Sequence, residues 1–212
     1  MKSILPKKFY ERDPKDVAID LLGKILVRET KEGIMKGKIV ETEAYYGKND
    51  PASHAFKGKT SRSKIMWEGG GKAYVYFTYG MHFLLNVVTG KKGKPSAVLI
   101  RALEPLEGIE IMKKNRKISK IKNLRNLTNG PGKLTQAFGI TKKQNGIDMT
   151  KKQNGLYITM PTKSKIQRLS IVSTSRIGIS TGKEKKLRFY IKGNKFVSYL
   201  LLLSFFCNLG GI

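Results

Sequence analysis

GKAYVYFTYGMHFLLNVVTG, residues 71–90, is the stretch from which the fold is predicted. Aromatic, aliphatic and β-branched residues fill its two halves, and Tyr79-Gly80 separates them. Because such residues favour strands and glycine favours turns, the stretch predicts a β-hairpin with Tyr79 at its tip. Alternation places Tyr74 and Tyr76 on one face, where tyrosines serve either as core residues or as platforms for stacked bases.

The segments on either side of this hairpin predict further strands and two helices. Asp13 and Pro14 begin a helix that Gly23 ends, and residues 106–114 have the pattern of a second helix. Several glycines and the lack of a periodic apolar run predict a long irregular loop at residues 47–72. A turn is predicted at residues 31–37, and strands are predicted at residues 25–28, 38–45, 96–105, 169–173, 176–180 and 187–191.

Composition favours one domain and an anionic partner. The chain has 212 residues, 40% of them hydrophobic, which is enough for one sizeable core. It carries 42 Lys and Arg against 15 Asp and Glu, a formal net charge of +27. The commonest partner of so positive a field is the phosphate backbone of nucleic acid. An anionic membrane is the rival explanation, and a lysine-rich composition without a specific partner is the third.

Cysteine and histidine are scarce. Cys207 is the only cysteine, and His54 and His82 are the only histidines. An internal disulfide and a His/Cys zinc cluster therefore cannot form. The N-terminal residues MKSILPKKFY lack the continuous apolar segment of a secretory signal, so we expect a cytosolic protein.

Two carboxylates stand in an unusual setting in KIVETEAYYG, residues 38–47. In a strand, Glu41, Glu43 and Tyr45 share one face. This arrangement suits a flat substrate held on Tyr45 while Glu43 activates a water or steadies a cationic transition state. The alternative is a surface strand whose glutamates pair with nearby lysines, and spacing alone favours that alternative.

Further positions stand out by their chemistry. Arg101 ends an apolar run, where an unpaired charge is costly to bury, so a buried acid is expected beside it, either Glu43 or Glu104. His54 is the one group near these residues in sequence that titrates close to neutral pH. Tyr79 is either a solvent-exposed side chain or a wedge at the tip of the hairpin.

Seven blocks of the sequence recur in one known family. They are VETEAYYG (40–47), DPASHAF (50–56), residues 71–89, AVLIRALEPLEG (97–108), NGPGKLTQAFGI (129–140), SRIGIS (175–180) and LRFYIKG (187–193). In this order they closely resemble the mammalian-type alkyladenine (3-methyladenine) DNA glycosylases. The resemblance runs from about Leu21 to Ser198 and covers most of the chain.

The resemblance implies an α+β fold, a single domain with a curved, mostly antiparallel β-sheet core, surrounding helices and a protruding β-hairpin. It implies a monofunctional enzyme without metal or other cofactor that hydrolyses the N-glycosidic bond of alkylated or deaminated purines and leaves an abasic site. The expected partner is double-stranded DNA that contains damaged purines. We expect a monomer without membrane association, cytoplasmic and, in a bacterium, associated with the nucleoid.

The resemblance also assigns roles in the reaction. Glu43 occupies the position of the acid that activates the water. Arg101 and the main-chain carbonyl of Ile177 occupy positions that help to hold this water. Glu41 has no catalytic role by this resemblance.

Other matching positions concern the flipped base. Tyr45 and Tyr76 match the aromatic residues that stack on it, and His54 matches the histidine at the purine edge. Asn86 matches the residue that obstructs the exocyclic amino group of guanine. The wedge that replaces the flipped nucleotide falls on Tyr79, with Met81 beside it.

We divide the chain into a DNA glycosylase domain, residues 1–198, and an apolar C-terminal tail, residues 199–212. The uncharged run at residues 196–209 is shorter than the roughly 20 residues needed to span a bilayer, so it is either a docked core element or an interfacial anchor. The alternative function is a non-catalytic, basic nucleic-acid-binding protein of the same fold. Such a protein has no need of Glu43, Arg101 and His54 together.

Overall fold

The computed structural model describes residues 3–118, 123–161 and 169–198. Its strands are β1 Ile25–Thr30, β2 Gly33–Tyr45, β3 Ala73–Thr78, β4 His82–Thr89, β5 Ser96–Glu107, β6 Leu156–Thr159, β7 Ile171–Thr174 and β8 Arg188–Ile191. Its helices are α1 Lys7–Tyr10, α2 Pro14–Leu21, α3 Ile109–Asn115 and α4 Pro131–Ala137. Short 3₁₀ turns lie at Lys64–Trp67, Leu124–Leu127, Lys142–Gln144 and Lys152–Asn154.

All of these strands belong to one curved antiparallel sheet, in the order β3-β4-β5-β2-β1-β6, with β8 paired to both β2 and β7. The predicted α+β class and the predicted hairpin, formed by β3 and β4, are confirmed. None of the helices in the described part of the chain has the length and apolar character that crossing a bilayer requires.

The long strand β2 organises the sheet. One of its edges pairs with β5, and the other pairs first with β1 and then, from Glu41 to Glu43, with β8. The register between β2 and β5 is irregular on both sides of Glu41. Because such bulges bend a strand and increase its twist, they account for the curvature of the sheet beside the two glutamates.

Helices cover β2 and β4 and complete the core. Asp13 caps α2 by accepting from the Lys15 amide at 2.8 Å, which confirms the predicted helix start. The apolar side of α2 is fully buried, and Thr42 of β2 donates to the main-chain oxygen of Ala18 at 2.8 Å. On β4, the main-chain oxygen of Phe83 accepts from the α4 residue Thr135 at 2.6 Å.

The predicted turn at residues 31–37 is wrong from Gly33 onwards, because the turn is confined to residues 31–32 and β2 runs from Gly33 through Gly37. A Cβ on Gly37 would lie 3.0 Å from the Cβ of Leu103 and 3.2 Å from the ring of Phe138. Glycine therefore favours the close approach of packed neighbours here, and sequence alone does not separate this role from a turn.

Other predicted elements need correction. The strand predicted at residues 176–180 is wrong, because this loop faces the carboxylates of Asp50 and Glu43 instead of a neighbouring strand. The helix predicted at residues 106–114 begins only at Ile109, after β5 has continued to Glu107. Strand β6 and helix α4 were not predicted, and the apolar tail at residues 199–212 lies outside the described residues.

Candidate active site

A cavity of about 670 Å³ lies between the β3–β4 hairpin, the end of β2 and the loop that follows β7. Its volume falls in the range of roughly 300–1,000 Å³ that is typical of small-molecule sites. The wall combines aromatic rings with cationic side chains: Tyr45, His54, Tyr74, Tyr76, Tyr79, Arg101, Arg116 and Lys133. The described residues contain no group of three or more His, Cys, Asp or Glu side chains that could hold a metal ion.

Glu43 lies at the point where β2, β5 and the loop after β7 meet, and its side chain has no exposed surface. The Tyr45 hydroxyl donates to Glu43 Oε2 at 2.8 Å, and the Ile177 amide donates to Glu43 Oε1 at 2.7 Å. Arg101 Nη1 lies 3.3 Å from Glu43 Oε2. These contacts compensate the cost of burying the carboxylate, and all three residues that make them line the cavity.

The Tyr45 phenol remains a donor at neutral pH. Its burial and the neighbouring Glu43 carboxylate raise the pKa of Tyr45 well above its usual value. The phenol therefore keeps its proton and fixes one oxygen of Glu43. This side of the cavity thus presents a flat ring that is hydrogen-bonded to a buried carboxylate.

Arg101 is buried, and its acid partners are Glu43 and Glu41, the latter at 3.1 Å from Nε. The expectation of a buried acid is confirmed for Glu43 and wrong for Glu104. Glu104 instead forms an ion pair of 2.6 Å with Lys38. The surface-strand alternative for Glu41 and Glu43 is also wrong, since both are fully buried and pair with arginine.

The opposite wall is a cluster of rings. His54 Nδ1 lies 2.7 Å from the Tyr74 hydroxyl, and the ring of His54 meets the ring of Tyr76 edge-on at 4.6 Å between centroids. The guanidinium of Arg62 lies 4.8 Å from the centroid of Tyr76. Burial, and to a lesser extent the charge of Arg62, lower the pKa of His54 to about 4. His54 is therefore neutral at physiological pH.

Asp50 and Arg176 form a buried ion pair that packs against the ring of Tyr45, and this pair was not predicted from the sequence. Arg176 is not among the described residues that line the cavity, and its guanidinium lies 4.7 Å from the Tyr45 centroid. Asp50 accepts two hydrogen bonds from Arg176, at 2.5 and 2.7 Å, and both side chains are fully buried. The sequence does mark both residues, because Asp50 begins the DPASHAF block and Arg176 lies in the SRIGIS block, two of the blocks that resemble the known family.

The hairpin tip projects beyond the cavity. Tyr79 is 78% exposed and Met81 is 68% exposed. Tyr79 has a φ of 52° and Gly80 a φ of 66°, so the turn places a bulky residue in the left-handed region. Such a conformation is unfavourable for tyrosine and is more often found at functional positions.

Asn86 lies apart from the other predicted site residues. It is buried on β4, and its side-chain amide donates to the main-chain oxygen of Tyr74 at 3.2 Å. It is not among the described residues that line the cavity. The structure thus brings Tyr45, Arg101, His54, Tyr76, Tyr79 and Ile177 together around one cavity. Glu43 is not among the lining residues but contacts three of them, Asn86 lies beside Tyr74, and Met81 lies at the hairpin tip.

The sequence is similar to one family of known proteins over most of its length. Residues 8–195 match the methylpurine-DNA glycosylase (MPG) family. A protein of Carboxydothermus hydrogenoformans named "Putative 3-methyladenine DNA glycosylase" is 52% identical over 195 residues, 92% of this chain and 98% of the relative. Proteins of the same name from Methanoculleus marisnigri and Bdellovibrio bacteriovorus are 45% and 46% identical, each over 92% of this chain and 98% of the relative.

Proposed function

Since the chain belongs to the methylpurine-DNA glycosylase family and is a monofunctional DNA glycosylase, we propose that it excises alkylated or deaminated purines from duplex DNA. The substrates are bases of the 3-methyladenine, 7-methylguanine and hypoxanthine type. The product is an abasic site. The observation that carries this proposal is the buried carboxylate of Glu43 held between Tyr45, Arg101 and the Ile177 amide.

In the proposed reaction Glu43 is the general base. It accepts a proton from a water whose oxygen forms a bond to C1′ of the deoxyribose, while the bond from C1′ to the purine nitrogen breaks and the base leaves with the electron pair. Arg101 and the main-chain carbonyl of Ile177 hold this water. The charge that develops on the sugar is stabilised by the nearby carboxylate.

The base reaches Glu43 by leaving the duplex. Flipping a nucleotide costs a few kcal/mol, and stacking in the protein must offset this cost. The free face of Tyr45 and the ring of Tyr76 supply the stacking, while Tyr79 and Met81 fill the gap in the duplex. The net charge of +27 supports binding to the phosphate backbone.

Selectivity among purine bases is assigned to the cavity wall formed by the rings of His54, Tyr74 and Tyr76. His54, neutral because its pKa is lowered to about 4, presents a hydrogen-bonding edge to the purine. Asn86 lies behind this wall, with its side-chain amide on the main-chain oxygen of Tyr74, and is assigned from there the obstruction of the exocyclic amino group of guanine. Replacement of Asn86 by serine should therefore increase the excision of guanine-type bases relative to adenine-type bases, measured on matched duplexes. Unchanged selectivity would remove Asn86 from this role.

A non-catalytic DNA-binding protein of the same fold is the weaker candidate. Such a protein needs the basic surface and the aromatic rings, but it gains nothing from Glu43 and Arg101 buried together beside the cavity. Burying charges is costly, so their presence favours chemistry over binding alone. We place the catalytic domain at residues 1–198.

The test is incubation with methylated duplex DNA in EDTA, followed by alkali, which breaks abasic sites. The wild type should cleave. Glu43→Gln should keep lesion binding and lose about 100-fold or more of the excision rate, because the amide keeps the shape and loses the base. The matched control is Glu104→Gln, a carboxylate paired with Lys38, which should cleave like the wild type. Loss of activity in EDTA that a divalent ion restores, or near-normal activity of Glu43→Gln, would contradict the proposed mechanism.

A further inference from the structure

Glu41 is a second fully buried carboxylate beside the proposed general base. Its Oε1 accepts from Arg188 Nη1 at 2.7 Å, from the Ser198 hydroxyl at 2.9 Å and from Arg101 Nε at 3.1 Å. Its Oε2 accepts from the Ser198 amide at 2.7 Å. Four donors from β5, β8 and the C-terminal end of the described chain thus converge on one side chain.

We propose that Glu41 is a positioning residue for the excision reaction, acting through Arg101. This inference rests on the proposed function of Glu43. Glu41 holds the Nε side of the guanidinium, which leaves Nη1 at 3.3 Å from Glu43 Oε2. Arg101 is thereby kept near Glu43 without closing on it.

The preferred geometry of arginine explains why this restraint matters. Guanidinium and carboxylate groups favour a bidentate fork with two short, parallel hydrogen bonds. With Glu41 removed, Arg101 is free to turn and form such a fork with Glu43. A fork would occupy the lone pairs that must accept the proton of the water, and the reacting geometry would be lost.

Charge balance points in the same direction. The carboxylates of Glu41 and Glu43 face the guanidinium groups of Arg101 and Arg188, so the four formal charges sum to zero. Neutralising Glu41 leaves an excess positive charge in a buried site, and Glu43 is the remaining anion for Arg101. Arg101 is then free to turn, and its electrostatic attraction to Glu43 favours the conformation in which the two groups form a fork.

Ser198 makes this network more rigid. Its amide and hydroxyl both donate to Glu41, and Arg101 Nη2 donates to the same hydroxyl at 3.4 Å. Ser198 thus contacts both the positioning carboxylate and the guanidinium. Ser198, at the C-terminal end of the described residues, therefore helps to hold Glu41 and Arg101 in place.

The test measures single-turnover excision with enzyme in excess over a duplex that bears one hypoxanthine. At saturating enzyme the rate constant reports on folded molecules alone, and titration of each preparation with excess lesion duplex gives the fraction of enzyme that is competent to bind. Glu41→Gln should lower the rate constant about 100-fold, the size of effect that misplaced groups cause, while the Kd for the lesion duplex stays unchanged. Glu104→Gln, on the same pair of strands, should leave the rate constant unchanged. A lower binding-competent fraction with a normal rate constant would mean a structural role only and would overturn the proposal.

A double-mutant cycle tests the route through Arg101. If Glu41 acts through Arg101, Glu41→Gln should change the rate constant of an Arg101→Met background by no more than about twofold. A full additional loss in that background would overturn the proposal. Where Glu41→Gln yields no folded protein, Ser198→Ala decides: a rate constant about fivefold lower supports the proposal, and an unchanged one overturns it.

The same assay separates the two proposals. Glu43→Gln on the hypoxanthine duplex should remove nearly all turnover. If it does and Glu41→Gln is normal, the inference on Glu41 alone fails. If Glu43→Gln is itself active, the proposed function fails, and the role of Glu41 fails with it.

Discussion

The hydroxyl of Tyr45 donates a hydrogen bond of 2.8 Å to Glu43 Oε2, so the ring that lines the cavity and the buried carboxylate form one unit. Tyr45→Phe removes this bond and keeps the ring. Stacking should persist, so lesion binding should stay near normal, while the excision rate should fall about tenfold because one oxygen of Glu43 is no longer fixed. Lesion-duplex affinity and single-turnover rates measure the two effects. A loss of affinity with a normal rate would show that the hydroxyl serves binding instead.

The pair of Asp50 and Arg176 should dominate the stability of the wall behind Tyr45. Asp50→Asn leaves the Arg176 guanidinium buried without its anion, so the free energy of unfolding should fall by about 3–5 kcal/mol. Urea denaturation measures this change. The control is the double variant Asp50→Asn/Arg176→Met, which removes both charges and should be less destabilised than the single variant. A double variant that is less stable than Asp50→Asn would contradict this account.

His54 should make stability depend on pH. Its pKa is lowered from 6.5 to about 4 in the folded protein, so the unfolded state binds more protons between these values. The free energy of unfolding should therefore fall as pH decreases from about 6.5 towards about 4. Between about pH 7 and about pH 5, the free energy of unfolding should fall by about 1 kcal/mol more in the wild type than in His54→Gln. This value allows for solvent screening of a half-buried ring. Identical pH dependence of the wild type and the variant would contradict the shift.

Local patterns predicted those parts of the fold that local chemistry determines. The capped helix at Asp13 and the hairpin around Tyr79-Gly80 follow from capping and from strand and turn preferences, and both are present. The predictions of a turn at Gly37 and of a strand at residues 176–180 were wrong because residues distant in sequence form the surroundings of both segments. Leu103 and Phe138 pack against Gly37, and Asp50 and Glu43 hold the 176–180 loop.

The same distinction applies to the site. Glu43 and Tyr45 are two residues apart on one strand, so their association was visible in the sequence. Arg188 and Ser198 lie far from Glu41 in the chain, and they meet it only because β8 pairs with β2. Sequence spacing alone favoured lysine partners for these glutamates, since a pattern shows which face a residue shares and does not show what covers that face.

Binding to undamaged duplex should weaken steeply with salt. The net charge of +27 favours many contacts to phosphates, and each contact releases counterions that salt opposes. Between about 50 and about 200 mM salt the affinity should fall about 10³-fold, measured by fluorescence anisotropy on an undamaged duplex. A flat dependence would show that the excess of lysine is compositional and does not reflect phosphate binding.

The tip of the hairpin allows function to be separated from stability. Tyr79 and Gly80 have positive φ, in a turn closed by a hydrogen bond of 3.2 Å from the Met81 amide to the Thr78 oxygen. A turn with positive φ at both central residues favours Asn-Gly, and tyrosine in this conformation costs about 1 kcal/mol. Position 79 therefore carries a large ring that is 78% exposed, although a smaller residue there would make the folded protein more stable.

Tyr79→Asn should consequently stabilise the protein and impair excision. Thermal or urea unfolding should show a gain of about 1 kcal/mol, because asparagine tolerates the left-handed region. Without the ring the flipped nucleotide loses stacking worth roughly 1–3 kcal/mol and falls back into the duplex. Excision from a stable pair should then drop about 10- to 100-fold, and excision of the same lesion from a mismatched pair should drop less, because that nucleotide flips at lower cost. Tyr79→Phe, which keeps the ring, is the control and should excise normally from both duplexes. An equal loss in the two contexts, or no loss in either, would remove Tyr79 from the wedge role, whatever the change in stability.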